Sequence, residues 1–225
     1  MVATDRIRAV LLDIDGTLVD SNDAHARAWV EALREHGQDV PFDRVRPLIG
    51  MGGDTLLPRV AGIESESPEG TAIDRRRAQL VKERYGPTLR ACPGTRALLE
   101  RLRDAGLRLI VATSAKEDEL DGLLARTGAA DLLRERVSSS EVDAAKPAPD
   151  IIQAALEKLD LPAEAVVLLG DTPYDIEAAA RAGVRTIALR CGGWDDRALA
   201  GALAVYEHPA DLLAHLDESP LGRRP

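Results

Sequence analysis

The sequence predicts an α/β protein: a doubly wound, Rossmann-like parallel sheet with an α-helical segment inserted after the first strand. Three observations predict it. From Pro93 onward, short apolar runs alternate with helical patterns of about ten residues, the signature of βαβ units. The stretch from Asp20 to about Arg90 carries helical patterns and no convincing strand. Polar residues recur where the apolar runs end, the edge at which parallel sheets bind ligands. The catalytic core is therefore expected in residues 1–18 and 91–225, with residues 19–90 as a helical cap.

The first strand is the apolar run Ile7 to Leu12, too continuous for a strand with one wet face. It ends in Asp13 and Asp15, followed by Gly16. Two carboxylates at this spacing point the same way, about 6–7 Å apart along the strand. Gly16 permits a sharp turn and brings backbone amides forward. Acids over free amides suit a cation and an anion held together, as in a metal-bound phosphate. A strand end followed by an Asx turn would read the same way.

The remaining elements follow in order. Asp20, Ser21, Asn22 and Asp23 are N-cap residues ahead of a helix over Ala24–His36, closed by Gly37. A short helix over Pro41–Ile49 precedes the loop Gly50–Gly53, and Asp54 is expected to cap a helix through Val60. Ser67-Pro68 opens a helix that Gly86-Pro87 ends. Then come a helix over Thr95–Ala105, a strand over Leu107–Ala112 ending in Thr113-Ser114, and a helix over Lys116–Thr127. A short strand at Arg136-Val137 leads to a polar loop, Lys146-Pro147 and a helix to Leu159. A strand over Ala165–Leu169 ends in Gly170-Asp171, followed by a helix over Pro173–Ala182 and a strand over Thr186–Leu189. A helix near Asp196–Leu203, a strand near Val205 and a helix over Pro209–His215 complete the chain, with fraying expected over Leu221–Pro225.

Composition excludes several classes. Of 225 residues, 45% are hydrophobic and 30% charged, ordinary for a globular protein. A net charge of −9 argues against nucleic acid or an anionic membrane as partner, and means that an anionic substrate needs a metal or local basic groups. Two cysteines, Cys92 and Cys191, make no disulfide framework or zinc spacing. A charged start and a short first apolar run give no signal-peptide pattern, and no run reaches membrane-spanning length. A cytoplasmic protein is expected.

Four signals converge: Asp13-x-Asp15, Thr113 and Gly170-Asp171-Thr172-Pro173-Tyr174-Asp175 at strand ends, and Lys146 in a Lys-Pro loop before a helix. Each alone has a structural alternative. Thr113 could cap a helix in competition with Ser114, Lys146 could be a solvated lysine, and Asp171 and Asp175 could cap the next helix. Lys146 is one of four lysines in a chain otherwise rich in arginine, which favours a chosen point charge. Together, Asp13, Asp15, Asp171 and Asp175 would crowd negative charge that cannot all stay ionised without a counter-ion. All-oxygen ligation of this kind suits Mg²⁺.

These motifs, in this order over nearly the whole chain, resemble the haloacid dehalogenase superfamily, in the branch that carries a helical cap after the first strand and includes phosphoglycolate phosphatases and β-phosphoglucomutases. The resemblance implies a Mg²⁺-dependent phosphatase acting on a small phosphomonoester through an aspartyl-phosphate. Asp13 would be the nucleophile, Asp15 the acid and then the base, Thr113 a phosphoryl ligand, and Lys146 the neutralising cation. Asp171, Asp13 and the Asp15 carbonyl would bind the metal, with Asp175 a further carboxylate of that site. As the acid, Asp15 needs a pKa raised by burial and neighbouring carboxylates. Gly16 and Ser114 join Thr113 and Lys146 as candidate phosphate ligands; Asp20, His25, Gly52, Gly53 and Arg59 are candidate cap residues for the leaving group. A lone histidine on an amphipathic helix, as His25 is, is more often a structural or solvated residue, and Gly52-Gly53 reads also as a flexible turn. The partner expected is a phosphorylated metabolite, and the protein a monomer or weak dimer.

Alternatives differ in specific features. Dehalogenases of the superfamily lack the second acid, present here as Asp15. Similar mutases carry an arginine in the cap loop for a second phosphate, where this chain has Gly50-Met51-Gly52-Gly53. A receiver-like signalling domain has its acceptor on an interior strand, without the insertion of about 70 residues found after Asp13. A catalytically silent phosphate-binding scaffold would be expected to lack a motif residue, and none is missing.

Overall fold

The computed structural model describes residues 7–222; the charged start of the chain and the last residues of the segment expected to fray lie outside that range. Six parallel strands form one sheet: β1 (Ala9–Leu12), β4 (Arg108–Ala112), β5 (Glu135–Val137), β6 (Val166–Gly170), β7 (Arg185–Leu189) and β8 (Ala204–Tyr206). Their spatial order is β5-β4-β1-β6-β7-β8. Counted by appearance among the sheet strands this is 3-2-1-4-5-6, the Rossmann order. β1 pairs with β4 on one side and β6 on the other, so the order reverses at its carboxyl end. That end carries Asp13, at the crevice where such sheets take ligands.

The apolar run of β1 is continuous because both faces are covered. Val10 and Leu12 enter one apolar cluster with Leu98, Leu99 and Leu102 of α5 (Thr95–Asp104) and Leu120, Leu123 and Leu124 of α6 (Glu117–Arg126). Ala9 and Leu11 enter the other with Ile151, Ile152 and Ala155 of α7 (Asp150–Leu159) and Ala178 and Ala179 of α8 (Pro173–Arg181). Full burial of each such leucine or isoleucine stabilises the fold by about 1.5–3 kcal/mol. α9 (Pro209–Ala214) adds Leu212 to the first cluster.

Between β1 and α5 lie α1 (Asn22–Glu35), α2 (Phe42–Val45), α3 (Gly53–Ala61) and α4 (Pro68–Leu80). They enclose an apolar core of their own, centred on Trp29, Leu33, Leu56, Leu57 and Ile73. Ser67 caps α4, its side chain accepting from the Gly70 amide at 3.0 Å.

Three local readings are corrected. The helical segment begins and ends in strand after all: β2 (Val19–Asp20) pairs antiparallel with β3 (Arg90–Ala91), a ribbon too short to leave a periodic pattern. α3 begins at Gly53 with Gly52 as its N-cap, so Asp54 lies in its first turn. Residues 196–201 form turns where a helix was expected; the Asp195 carboxylate accepts from the Ala198 amide at 2.9 Å, which favours the turn.

Candidate active site

Four chain segments meet at the end of β1. The Asp13 amide donates to Leu169 O at 3.0 Å, carrying sheet pairing one residue past the strand and fixing the direction of the Asp13 side chain. The chain then turns at Gly16 (φ 78°), where a Cβ would lie 2.3 Å from Asp171 Oδ2, so only glycine lets the backbone pass this close. On β6, Gly170 serves the same purpose: a Cβ there would lie 2.6 Å from the Asp175 carboxyl carbon. Thr172 and Asp175 form a capping box at the start of α8, the Thr172 hydroxyl donating to Asp175 Oδ2 at 2.7 Å and accepting from the Asp175 amide at 3.1 Å.

Lys146 is 1% exposed and ties these pieces together. Its Nζ donates to Asp13 Oδ1 at 2.7 Å and to Ala112 O at 2.8 Å. It also lies 2.7 Å from Asp175 Oδ1, an ion pair without the alignment of a hydrogen bond. Burial works against the ammonium, but Asp13 and Asp175 outweigh it and raise its pKa, so it stays charged. One cation cannot satisfy the acids around it. Oxygens of Asp13, Asp171 and Asp175 lie within 4.8 Å of one another, all three residues buried. Burial, reinforced by Asp175 and Asp15, pushes Asp13 up to about 7 despite Lys146. Burial with Asp175 and Asp13 likewise holds Asp171 well above the carboxylate range. Closely packed carboxylates resisting ionisation, with all-oxygen donors, are what a hard divalent cation relieves, so this site fits Mg²⁺.

Asp15 turns the other way. Its Oδ1 accepts from the Ser21 hydroxyl at 2.5 Å and lies 2.9 Å from His25 Nε2. Burial alone would raise Asp15, but His25, Ser21 and Arg77 outweigh it and hold the carboxyl below its ordinary value. His25 is raised in turn: burial opposes its charge, and Asp15 more than compensates. This corrects the expectation of a raised Asp15; its neighbours His25 on α1 and Arg77 on α4 are cationic. The Asp15 carboxylate also stands outside the acidic cluster, so only its backbone is left as the metal donor the resemblance implied.

A cavity of about 390 Å³ lies between α1, the 49–54 segment, α4 and the sheet edge. That volume falls in the roughly 300–1,000 Å³ range of small-molecule sites. Asp13, Asp15, His25, Gly52, Gly53, Thr113 and Ser114 line it, with Trp29 and Arg77. Thr113 Oγ1 accepts from the Ala115 amide at 3.1 Å, which leaves its hydroxyl proton for a ligand, and Ser114 Oγ is without a hydrogen-bond partner.

Three candidates are placed elsewhere. The Gly16 amide is consumed in the turn, donating to Val19 O at 2.7 Å, so its part is backbone passage and not anion binding. Asp20 is exposed on the β2–β3 ribbon and does not line the cavity. Arg59 is exposed on α3, also away from the cavity.

Several site residues escaped the sequence reading. Thr17 Oγ1 lies 2.9 Å from Asp171 Oδ1 and 3.3 Å from Asp13 Oδ2, joining two acids of the cluster. Asn22 Nδ2 donates to Asp171 Oδ2 at 2.8 Å and to Gly192 O at 3.2 Å. Arg77 is buried in the roof, bonded to Asp74 and Glu119. A signal for Ser21 and Asn22 was present: four consecutive cap-type residues precede a helix that needs one, and the Ser21 side chain in fact makes no cap bond.

Comparison with known proteins follows this geometry. Residues 10–189 match the family described as haloacid dehalogenase-like hydrolase. The chain belongs to that family. It is an enzyme of the hydrolase class, and the family's fold is the one seen here. It is 30% identical over 219 residues to N-acetylmuramic acid 6-phosphate phosphatase of Pseudomonas aeruginosa, covering 95% of this chain and 96% of that one. It is 32% identical over 216 residues to a phosphoglycolate phosphatase of Rhodospirillum rubrum, covering 91% and 89%. A crystal structure of a hydrolase from Pseudomonas syringae superposes with a TM-score of 0.87 at 33% identity, over 94% of this chain and 98% of that one.

Proposed function

We propose that this hydrolase is a Mg²⁺-dependent phosphatase that removes the phosphoryl group of a small metabolite through an aspartyl-phosphate on Asp13. The supporting observation is the convergence of Asp13, Lys146, Asp171 and Asp175 at one strand-end crevice beside a cavity of metabolite size. Asp13 and Asp171 would hold the Mg²⁺, with Thr17 and Asn22 fixing the Asp171 carboxylate. When bound, the ion supplies charge neutralisation for the buried acids and the phosphoryl oxygens.

An Asp13 carboxylate oxygen attacks phosphorus, and the ester oxygen leaves with a proton held by the Asp15–His25 pair between Asp15 Oδ1 and His25 Nε2. Asp15 then accepts a proton from water as the water oxygen attacks phosphorus of the phosphoaspartate, which releases inorganic phosphate and restores Asp13. Lys146 holds Asp13 in place and offsets charge on the incoming group; the Thr113 hydroxyl and Ser114 donate to phosphoryl oxygens. Residues 19–90 act as the cap, which opens to admit substrate and closes to exclude water.

The purified protein is expected to release phosphate from an aryl phosphate in Mg²⁺ and to lose that activity in EDTA. Asp13→Asn should lower kcat by about 10⁴-fold or more, as expected when a nucleophile is removed. Full activity in EDTA, or in the variant, overturns the proposal.

Among the described residues no helix is long and apolar enough to cross a membrane.

A further inference from the structure

The cavity has a phosphoryl half at Asp13, Thr113 and Ser114, and a second half beneath the cap where the leaving group must lie. The charges of that second half are informative. Among the described residues, its cationic lining side chains are His25, Arg77 and Lys116, and each is already engaged. His25 faces Asp15 at 2.9 Å. Arg77 is bound to Asp74 at 2.7 Å and Glu119 at 2.8 Å, with its guanidinium 5.3 Å from the centre of the Trp29 ring. Lys116 lies 2.5 Å from Asp74. Three further acids line the cavity, each exposed at its rim: Asp54 on α3, Glu66 ahead of α4 and Asp143 in the loop before Lys146. None of the three has a salt bridge or a side-chain hydrogen bond among the described residues.

Resting on the phosphatase reading, we infer that the enzyme selects a leaving group that carries no second negative charge and donates hydrogen bonds: the hydroxyls of a neutral sugar or polyol monophosphate. A carboxylate or second phosphate at this end meets three uncompensated carboxylates from three separate segments and finds no free cation. Hydroxyl donors meet acceptors instead, in charge-assisted hydrogen bonds. Trp29 and Met51 supply apolar surface for the carbon framework. The same arrangement argues against a bisphosphate substrate.

The test measures binding apart from turnover. Asp13→Asn protein in Mg²⁺ is titrated calorimetrically with glucose 6-phosphate, phosphoglycolate and fructose 1,6-bisphosphate, at about 20 mM and about 500 mM salt. The sugar monophosphate should bind at least about tenfold more tightly than either competitor with an anionic tail at low salt, and the gap should narrow at high salt as exposed charges are screened. A triple variant, Asp54→Asn, Glu66→Gln and Asp143→Asn, should narrow it at low salt too, chiefly by strengthening phosphoglycolate. Equal or tighter binding of phosphoglycolate or the bisphosphate at low salt overturns the inference, as does a preference unmoved by the triple variant, or no binding of any of the three. Failure of wild-type protein to release phosphate from an aryl phosphate overturns the phosphatase reading separately.

Discussion

On the sheet side of the cavity, Asp13, Asp171 and Asp175 are buried around a single lysine, and burial with mutual repulsion drives Asp13 up to about 7. On the side of α1 and α4, two residues along the chain, Asp15 is partly buried, yet His25, Ser21 and Arg77 hold its carboxyl down. The two acids share a residue type and a turn. What separates them is which face of the turn each occupies. The sheet face gathers the acids that follow β1 and β6 with Asp175 of α8; the other face brings the cationic residues of α1 and α4. A phosphatase needs this division, with a nucleophile that waits for a counter-ion and an acid–base group that already has a proton partner.

Removing Lys146 tests the sheet side most severely. Lys146→Ala leaves buried carboxylates with no protein cation, and should destabilise the metal-free protein by about 3–5 kcal/mol in denaturant unfolding. A loss under about 1 kcal/mol would mean that the acids are already neutral without it.

Asn22→Ala removes a donor to Asp171 Oδ2 while leaving every acid in place. Mg²⁺ affinity measured by calorimetry should fall about 10–100-fold, the usual cost of losing a residue that orients a metal ligand. An unchanged affinity would show that Thr17 alone orients Asp171.

Asp13 and Asp171 bind protons in the folded state at pH values where the unfolded chain has released them. The metal-free protein should therefore lose stability as pH rises from about 4 towards 7, because folding then takes up protons that are increasingly scarce. Mg²⁺ competes with those protons, so the rise in Tm on adding Mg²⁺ should be larger near pH 7.5 than near about pH 5.5. A Mg²⁺ effect independent of pH would place the metal away from these carboxylates.

The smallest effect is expected on the cap side. His25→Ala removes the main group that lowers Asp15, so the acidic limb of the kcat–pH profile, where Asp15 must ionise to act as base, should move to higher pH. kcat itself should fall by about 10²-fold or less, the lower end of general acid–base effects. An unmoved limb would assign it to another group.

The sheet was readable because β1 declares itself: four apolar residues in a row, Ala9 to Leu12, then two acids and a glycine, at a strand that must be buried on both faces. The β2–β3 ribbon was not, since two paired residues make no period. Asp20 and Arg59 were misplaced for a related reason. Chemistry and proximity in sequence made them candidates, but their side chains leave the backbone on the solvent side, and a register of one or two residues decides that.

The sequence by itself determined the alternation of strands and helices, the acids at strand ends and the lone lysine before α7, because periodicity and residue type are local properties. Only the tertiary structure decided that Ser21 and Asn22 serve Asp15 and Asp171 instead of capping α1, that Asp15 is held ionised, and that the cations over the cavity are already paired. Those facts depend on groups brought within 3 Å from segments as much as 149 residues apart. Electrostatics and hydrogen bonds act over that distance in space, whatever the separation along the chain.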